Sequence, residues 1–188
     1  YCRNCGKLVT RDSVRTVESS LASSAAGESL RLFVTFPLPV HPKESLDQAL
    51  NNITKEGFFR VVIGTEVLDL NVAVRPKRMP EQGIHVLVDR LVFQPGARND
   101  RIGDAVETAF ASGSGRASVV LPDRGAVLNF NQNFACADCH IPYEEPDPRL
   151  FSFNNPFGAC PACQGFGRAV GIDMDLVVPD DSKSLAEG

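Results

Sequence analysis

His85-Val-Leu-Val-Asp-Arg-Leu-Val-Phe93 is a nearly continuous run of β-branched and aliphatic residues, and residues 99–112 follow it with apolar side chains at helical spacing. The first pattern predicts a strand, and the second predicts a helix packed on one face. By strict alternation, Arg90 would share one face of this strand with Val86, Val88 and Val92, and Leu87, Leu91 and Phe93 would occupy the other. We expect the second face, which carries the larger side chains, to form the core.

Similar patterns on either side of this stretch predict two more helices and five more strands. The helices are predicted at residues 13–22 and 44–56, and the strands at 30–36, 58–63, 66–70, 117–121 and 126–130. Turn sequences at Gly64-Thr65 and at Pro122-Asp-Arg-Gly125 predict two hairpins. Helices mixed with hairpins indicate an α+β fold, in which helices cover one face of a small antiparallel sheet. We expect a cysteine-rich zinc-binding module to follow it.

Charge and composition argue against several classes of protein. The net charge is -4 and the pI is about 5.4, so the overall charge does not favour nucleic-acid binding. No apolar run approaches the roughly 20 residues that cross a bilayer. The phosphate-binding motif G-x-x-x-x-G-K-[ST] is absent from the sequence, so no nucleotide-hydrolysis site is predicted within it. Since the chain begins at Tyr1 within a Cys-x-x-Cys motif, we expect it to be a piece of a longer protein.

Six cysteines occur as three Cys-x-x-Cys pairs, which suggests metal ligation in a reducing compartment. Cys136, Cys139, Cys160 and Cys163 have the spacing of a four-cysteine zinc site. Four thiolates would fill the tetrahedral shell and leave no position for water, so the site would be structural. His140 directly follows Cys139 and is not needed as a fifth donor.

The pair Cys2 and Cys5 is a weaker metal-ligand candidate, because its partners are not evident from spacing. We expect them to lie upstream of Tyr1. The pair could instead be idle, or could form a redox dithiol, which requires a lowered thiol pKa.

Several stretches resemble the UvrA family, the damage-recognition ATPases of bacterial nucleotide excision repair. They are Val86-Leu-Val-Asp-Arg-Leu-Val92, Asp104-Ala-Val-Glu-Thr-Ala109, Phe134-Ala-Cys-Ala-Asp-Cys139 and Glu145-Pro-Asp-Pro-Arg-Leu-Phe-Ser-Phe-Asn-Asn-Pro-Phe-Gly-Ala-Cys-Pro-Ala-Cys163, the last followed by Gly165-Phe-Gly167. The resemblance covers nearly the whole chain and is tightest from 134 to 167.

The resemblance implies an organisation of the chain within the first ATP-binding-cassette half. Its four parts would be a Cys-x-x-Cys segment of the preceding domain (1–13), an α+β domain that binds the partner UvrB (14–130), the zinc-bearing part of the signature domain (131–168) and the start of the next insertion (169–188).

The resemblance also implies binding residues and partners. Arg60 and Arg90 match the family's arginines that meet acidic groups on UvrB. The longer cytoplasmic protein would be a homodimer that binds ATP and damaged double-stranded DNA, and ATP would bind outside this chain.

Two other functions remain open from the residues alone. Cys160-Pro-Ala-Cys163-Gln-Gly165-Phe-Gly167 fits the repeat of a DnaJ-type zinc chaperone, although that family uses several such repeats and this chain has one. A thiol–disulfide enzyme would use one Cys-x-x-Cys pair as a reactive dithiol without a tightly bound metal. Metal content separates the second alternative from the other readings.

Overall fold

The computed structural model describes residues 1–73, 75–97, 99–145, 147–151, 159–160 and 163. The chain divides into two units, Tyr1–Tyr143 and Glu144–Gly188. In the second unit, the described part includes a short 3-10 turn at Pro148–Phe151 and an ion pair between Arg149 and Asp147. The predicted insertion at 169–188 lies outside the described residues.

The first unit contains three helices and six strands, at or close to the positions that the sequence predicts. The helices are α1 (Val14–Ala25), α2 (Leu46–Lys55) and α3 (Asp100–Ser112). The strands are β1 (Leu30–Pro37), β2 (Arg60–Ile63), β3 (Glu66–Asp69), β4 (His85–Phe93), β5 (Arg116–Leu121) and β6 (Ala126–Asn131). Among the described residues, no helix combines the length and apolar character that a membrane crossing needs.

Local sequence explains where the first two helices begin. The Ser13 hydroxyl accepts a hydrogen bond from the Thr16 backbone N–H, and the Thr16 hydroxyl accepts one from the Ser13 backbone N–H. Ser45 and Gln48 form the same reciprocal capping box at the start of α2. Each pair satisfies two backbone donors that a helix end otherwise leaves without partners.

The six strands form one antiparallel sheet in the order β3-β2-β4-β1-β5-β6. The central strand β1 contributes alternate residues to the main core, where they meet buried side chains of all three helices. The core members are Leu30, Leu32, Val34 and Phe36 from β1, Val17 and Leu21 from α1, Leu50 and Ile53 from α2, and Val106 and Phe110 from α3. Helices on one face of an antiparallel sheet confirm the α+β prediction.

A β-bulge in β4 overturns the strict alternation expected for that strand. Val34 pairs with Asp89 but Thr35 pairs with Leu87, so Val88 is the extra residue. The core therefore receives Val86 and Phe93, whereas Leu87 joins a second cluster with Val62 and Val120. A bulge shifts the side-chain alternation by one residue, which a fixed period of two does not anticipate.

The second cluster lies on the sheet face away from the helices, called here the open face. Phe33 and Val67 pack around its three buried members, Val62, Leu87 and Val120. Arg90 pairs in register with Phe33, and Arg60 is two residues from Val62 on the same strand, so both arginines belong to the open face.

The two ends of the α+β domain are held side by side. The Asp12 backbone N–H donates to the Asn131 carbonyl at 2.8 Å, and the Asn131 N–H donates to the Asp12 carboxylate at 2.8 Å. The segment that leads into α1 and the segment that follows β6 therefore lie next to each other. This pairing brings the first two Cys-x-x-Cys motifs together.

Candidate metal centre and partner groove

The segments Cys2–Lys7 and Cys136–Ile141 fold into two turns with the same hydrogen-bond pattern. The N–H of Cys2 donates to the Lys7 carbonyl at 2.7 Å, as the N–H of Cys136 does to Ile141 at 2.9 Å. Inside each turn, Gly6 and His140 donate to the carbonyl of the first cysteine, both at 2.9 Å. We call these two turns the first and second knuckle.

The residue after the second cysteine of each knuckle has a left-handed backbone conformation. Gly6 has φ of 70° and His140 has φ of 57°. Glycine adopts this conformation without steric cost, and a histidine there is uncommon. His140 therefore occupies a backbone position equivalent to that of Gly6.

The knuckles bring together the sulfurs of Cys2, Cys5, Cys136 and Cys139, all within 4.8 Å of one another. The Cys5 and Cys136 sulfurs are 3.6 Å apart. A tetrahedral zinc with bonds of about 2.3 Å requires sulfurs about 3.8 Å apart. Two cysteines of this set are buried, and none of the four forms a disulfide. The donor set therefore fits a structural zinc with four thiolate ligands.

The clustered thiols have perturbed pKa values, as closely spaced ionisable groups do. The backbone N–H of Cys5 and the Tyr143 hydroxyl lower the pKa of the Cys2 thiol to about 6. For Cys5, the Lys7 N–H lowers the pKa, but lost hydration and the three neighbouring sulfurs outweigh it and raise the pKa to about 12. Like charges at this spacing cannot all be present at once without a cation. A divalent cation would allow all four thiols to ionise.

Polar groups tie the sulfurs and the two knuckles together. Asn4 donates from its side-chain amide to the Cys139 sulfur at 3.3 Å, and from its backbone N–H to the Cys2 sulfur at 3.5 Å. Lys7 pairs with Asp138 at 2.6 Å across the knuckles. Such donors orient thiolate ligands and offset part of their negative charge.

The Asn4→Asp substitution is expected to accelerate zinc release to a chelator about tenfold, in line with the usual effect of losing a hydrogen bond to a metal ligand. Aspartate has nearly the same size as asparagine but lacks the donor, and it adds a negative charge beside thiolates. The check is the rate of zinc transfer to a coloured chelator, with Asn4→Gln as the variant that keeps an amide. Release at the parent rate from the aspartate variant would show that the Asn4 amide does not support the site.

A hydrogen-bond chain connects the second knuckle to the sheet. Asp138 accepts from the Asn129 side-chain Nδ2 on β6 at 2.9 Å, and the Asn129 side-chain Oδ1 accepts from the Ser118 hydroxyl on β5 at 2.9 Å. The Asn129 hydrogen bond, followed by that of Lys7, holds the pKa of Asp138 below its usual value. The knuckle is thus attached to the sheet by an ionised carboxylate.

The sequence-based zinc set is only partly represented in this cluster. Cys136 and Cys139 belong to it, but their companions there are Cys2 and Cys5, whose partners were not evident from spacing. Cys160, which is exposed, and Cys163 lie in the second unit. The set that includes them stays a prediction. One sequence signal could have identified Cys2 and Cys5 as partners of Cys136 and Cys139. Both pairs are Cys-x-x-Cys motifs, and they flank the α+β domain on either side.

Arg60 and Arg90 both line one groove, made by residues 57–60, 69, 71 and 87–90. It lies next to the only stretch over which β2 and β4 pair in the described residues, Val61 with Val86 and Val62 with His85. Two acidic residues, Asp69 and Asp89, line the same groove. Phe59, which is 46% exposed, adds an apolar surface. A groove of this composition suits a partner that offers both carboxylates and apolar side chains.

Comparison with known proteins gives consistent matches. Residues 13–123 match the family model described as the UvrA interaction domain. The whole chain is 36% identical to part of UvrABC system protein A of Staphylococcus aureus and covers 19% of that protein. It is 37% identical to the same protein of Staphylococcus epidermidis and covers 20% of it. The chain therefore spans about a fifth of the length of these relatives.

Proposed function

We propose, from the premise that this chain belongs to the UvrA interaction-domain family, that its α+β domain binds UvrB and that its two knuckles hold one structural zinc. The zinc ligands would be Cys2, Cys5, Cys136 and Cys139. In this proposal the metal joins the two ends of the partner-binding domain. ATP hydrolysis, damaged-DNA binding and dimerisation would belong to other parts of the longer protein.

One observation carries the partner-binding proposal: the two arginines implied by the family resemblance line a common groove. Arg60 and Arg90 come from different strands, and the Arg60 side chain is 55% exposed. A guanidinium at such a place can bind a carboxylate by donating two parallel hydrogen bonds to its oxygens. Two arginines in one groove suit a partner surface with more than one acidic group.

The zinc proposal rests on different contacts. Four sulfurs within 4.8 Å of one another supply the ligand set, and the paired knuckle turns explain how it forms. With all positions taken by protein, a zinc ion there would brace the fold and would not activate water. Because the knuckles adjoin the Asp12–Asn131 pairing, the metal would fix both ends of the domain at once.

Arg60→Ala and Arg90→Ala are each expected to weaken UvrB binding, by up to about a hundredfold for the more important of the two, which corresponds to about 2.8 kcal/mol. The reason is the loss of a charge-assisted contact that leaves a partner carboxylate unpaired. The measurement is titration calorimetry of UvrB with the zinc-loaded chain. Arg90→Lys is also expected to bind more weakly than the parent, since an ammonium cannot form the bidentate contact.

Arg15→Ala serves as the control, because Arg15 is exposed on α1, on the helical side of the sheet. It removes the same charge without touching the groove. Equal binding by the parent and by both groove variants would refute the partner-binding proposal while leaving the zinc proposal standing.

A further inference from the structure

The four charged residues that line the groove have formal charges that cancel. Arg60 and Arg90 are positive, and Asp69 and Asp89 are negative. A groove of zero net charge attracts an acidic partner only weakly, unless the carboxylates of the groove are already paired with other groups of the protein. The way these groups pair within the free protein therefore decides how well it can bind.

Arg60 is already engaged by one of the aspartates. It lies directly opposite Asp69 in the β2–β3 register, and its Nε is 3.5 Å from the Asp69 carboxylate. The two side chains are 55% and 38% exposed, so this ion pair is weak and a stronger acceptor could displace Asp69. Asp69 is thus an internal competitor for the same guanidinium that the partner would use.

Asp89 is engaged on the helical side of the sheet, because it pairs with the core residue Val34, whereas Arg90 pairs with Phe33 on the open face. Arg101, in the first turn of α3, donates to both Asp89 carboxylate oxygens, at 2.9 and 3.1 Å. The Asp89 carboxylate also accepts the Arg90 backbone N–H at 2.8 Å. With Asp89 neutralised in this way, the Arg90 guanidinium has no ion-pair partner among the residues that the structure describes.

We propose that Asp69 and Arg101 set the affinity of the groove for its acidic partner, Asp69 by competing for Arg60 and Arg101 by holding the Asp89 carboxylate on the helical side, away from Arg90. This inference rests on the proposed function. Arg90 is then the guanidinium available at first encounter. Arg60 engages the partner only after it exchanges Asp69 for a partner carboxylate, and Arg101 is a positioning residue that does not itself touch the partner.

The first test is the affinity of UvrB for the zinc-loaded chain carrying Asp69→Asn. Asparagine keeps an oxygen that can accept the Asn71 N–H, a hydrogen bond of 3.0 Å in the parent, but it no longer holds Arg60 by charge. Binding is expected to tighten about threefold at low salt, with a smaller gain at high salt. Glu66→Gln removes the same charge at the other end of β3 and is expected to change affinity less. Unchanged or weaker binding by Asp69→Asn would overturn the role given to Asp69.

The second test is a double-mutant cycle with Arg101→Ala and Asp89→Asn. Arg101→Ala is expected to weaken binding about threefold, because it frees the Asp89 carboxylate to turn toward Arg90 and compete with the partner. The double variant is expected to return at least to the parent affinity, since no carboxylate then remains to be neutralised. A purely structural role of Arg101 would lower stability in urea without this recovery. A double variant as weak as Arg101→Ala would mean that Arg101 meets the partner directly, which overturns its assigned role.

The arginine variants separate this inference from the function on which it rests. Arg90→Ala is expected to cost more affinity than Arg60→Ala, because Arg60 must first leave Asp69. If both variants bind as the parent does, the partner-binding proposal fails and the inference fails with it. If both weaken binding but Arg60→Ala costs as much as Arg90→Ala, the function stands and the competition by Asp69 is overturned.

Discussion

The Cys2→Ser and Cys136→Ser variants are each expected to lose the zinc that the parent chain binds at about one ion per chain. Each substitution removes one of four thiolates, and a hydroxyl is a poor replacement for a soft sulfur donor. Cys160→Ser, in contrast, is expected to keep its zinc. The measurement is metal content of reduced, purified protein after dialysis against a mild chelator.

The three variants distinguish the two possible ligand sets that share Cys136 and Cys139. Loss of zinc from Cys160→Ser together with retention in Cys2→Ser would favour the set predicted from spacing, and would contradict the cluster proposed for the knuckles. A parent chain without zinc, even when carefully reduced, would refute both sets. It would then bring forward a dithiol function for the Cys-x-x-Cys pairs.

Loss of the zinc is expected to unfold the knuckles but to leave most of the α+β domain intact. Cys2, Val9 and Cys136 form a small cluster of their own, separate from the main core beneath the helices. Circular dichroism should therefore retain most of its helical signal, while the knuckle amides exchange their hydrogens faster. Zinc binding should also weaken as the pH falls, because the ligands must be thiolates.

The Gly113→Ala variant is expected to be destabilised by about 3 kcal/mol or more, the upper range for an added methyl group in a filled space. A Cβ at Gly113 would overlap the Arg116 carbonyl oxygen and would lie 2.8 Å from both the Ala109 oxygen and the Phe36 Cβ. Two of these three atoms are backbone, so relief requires α3 and β5 to move apart. The measurement is the free energy of unfolding in urea.

Gly103→Ala is the matched control, since both glycines belong to α3 or its end. A Cβ at Gly103 would meet only Val14 Cγ1, at an ordinary contact distance of 3.5 Å. Replacing a glycine inside a helix by alanine favours the helix by about 1 kcal/mol. The two variants should therefore change stability in opposite directions, and a stable Gly113→Ala protein would show that the turn between α3 and β5 is not tightly packed.

The chain's local patterns were enough to predict its elements. Capping boxes at Ser13 and Ser45, helical spacing in residues 99–112 and the turn sequence at Pro122–Gly125 all act over a few residues. Local preferences of this kind agree with the observed fold throughout the first unit. The exception is β4, where the bulge at Val88 depends on which strand pairs with it, and pairing is not a local property.

The candidate metal site could be predicted only in part, for the same reason. Spacing along the sequence favours ligand sets whose members are close in the chain. It therefore grouped Cys136 and Cys139 with the next pair, Cys160 and Cys163. The structure joins them to Cys2 and Cys5, because an entire domain lies between the two knuckles and returns to its starting point. Distance along the chain says little about ligands that flank a closed domain.

The sequence by itself determined the α+β class, the positions of the helices and strands, the grouping of the cysteines in Cys-x-x-Cys pairs and, through its motifs, the family. Each of these follows from residue type, short-range periodicity or a contiguous motif. Only the tertiary structure decided which cysteine pairs meet, which face of β4 is open, and that Arg60 pairs with Asp69 and Arg101 with Asp89. Those features arise from contacts between residues far apart in the chain, which form only when the sheet has closed around its core.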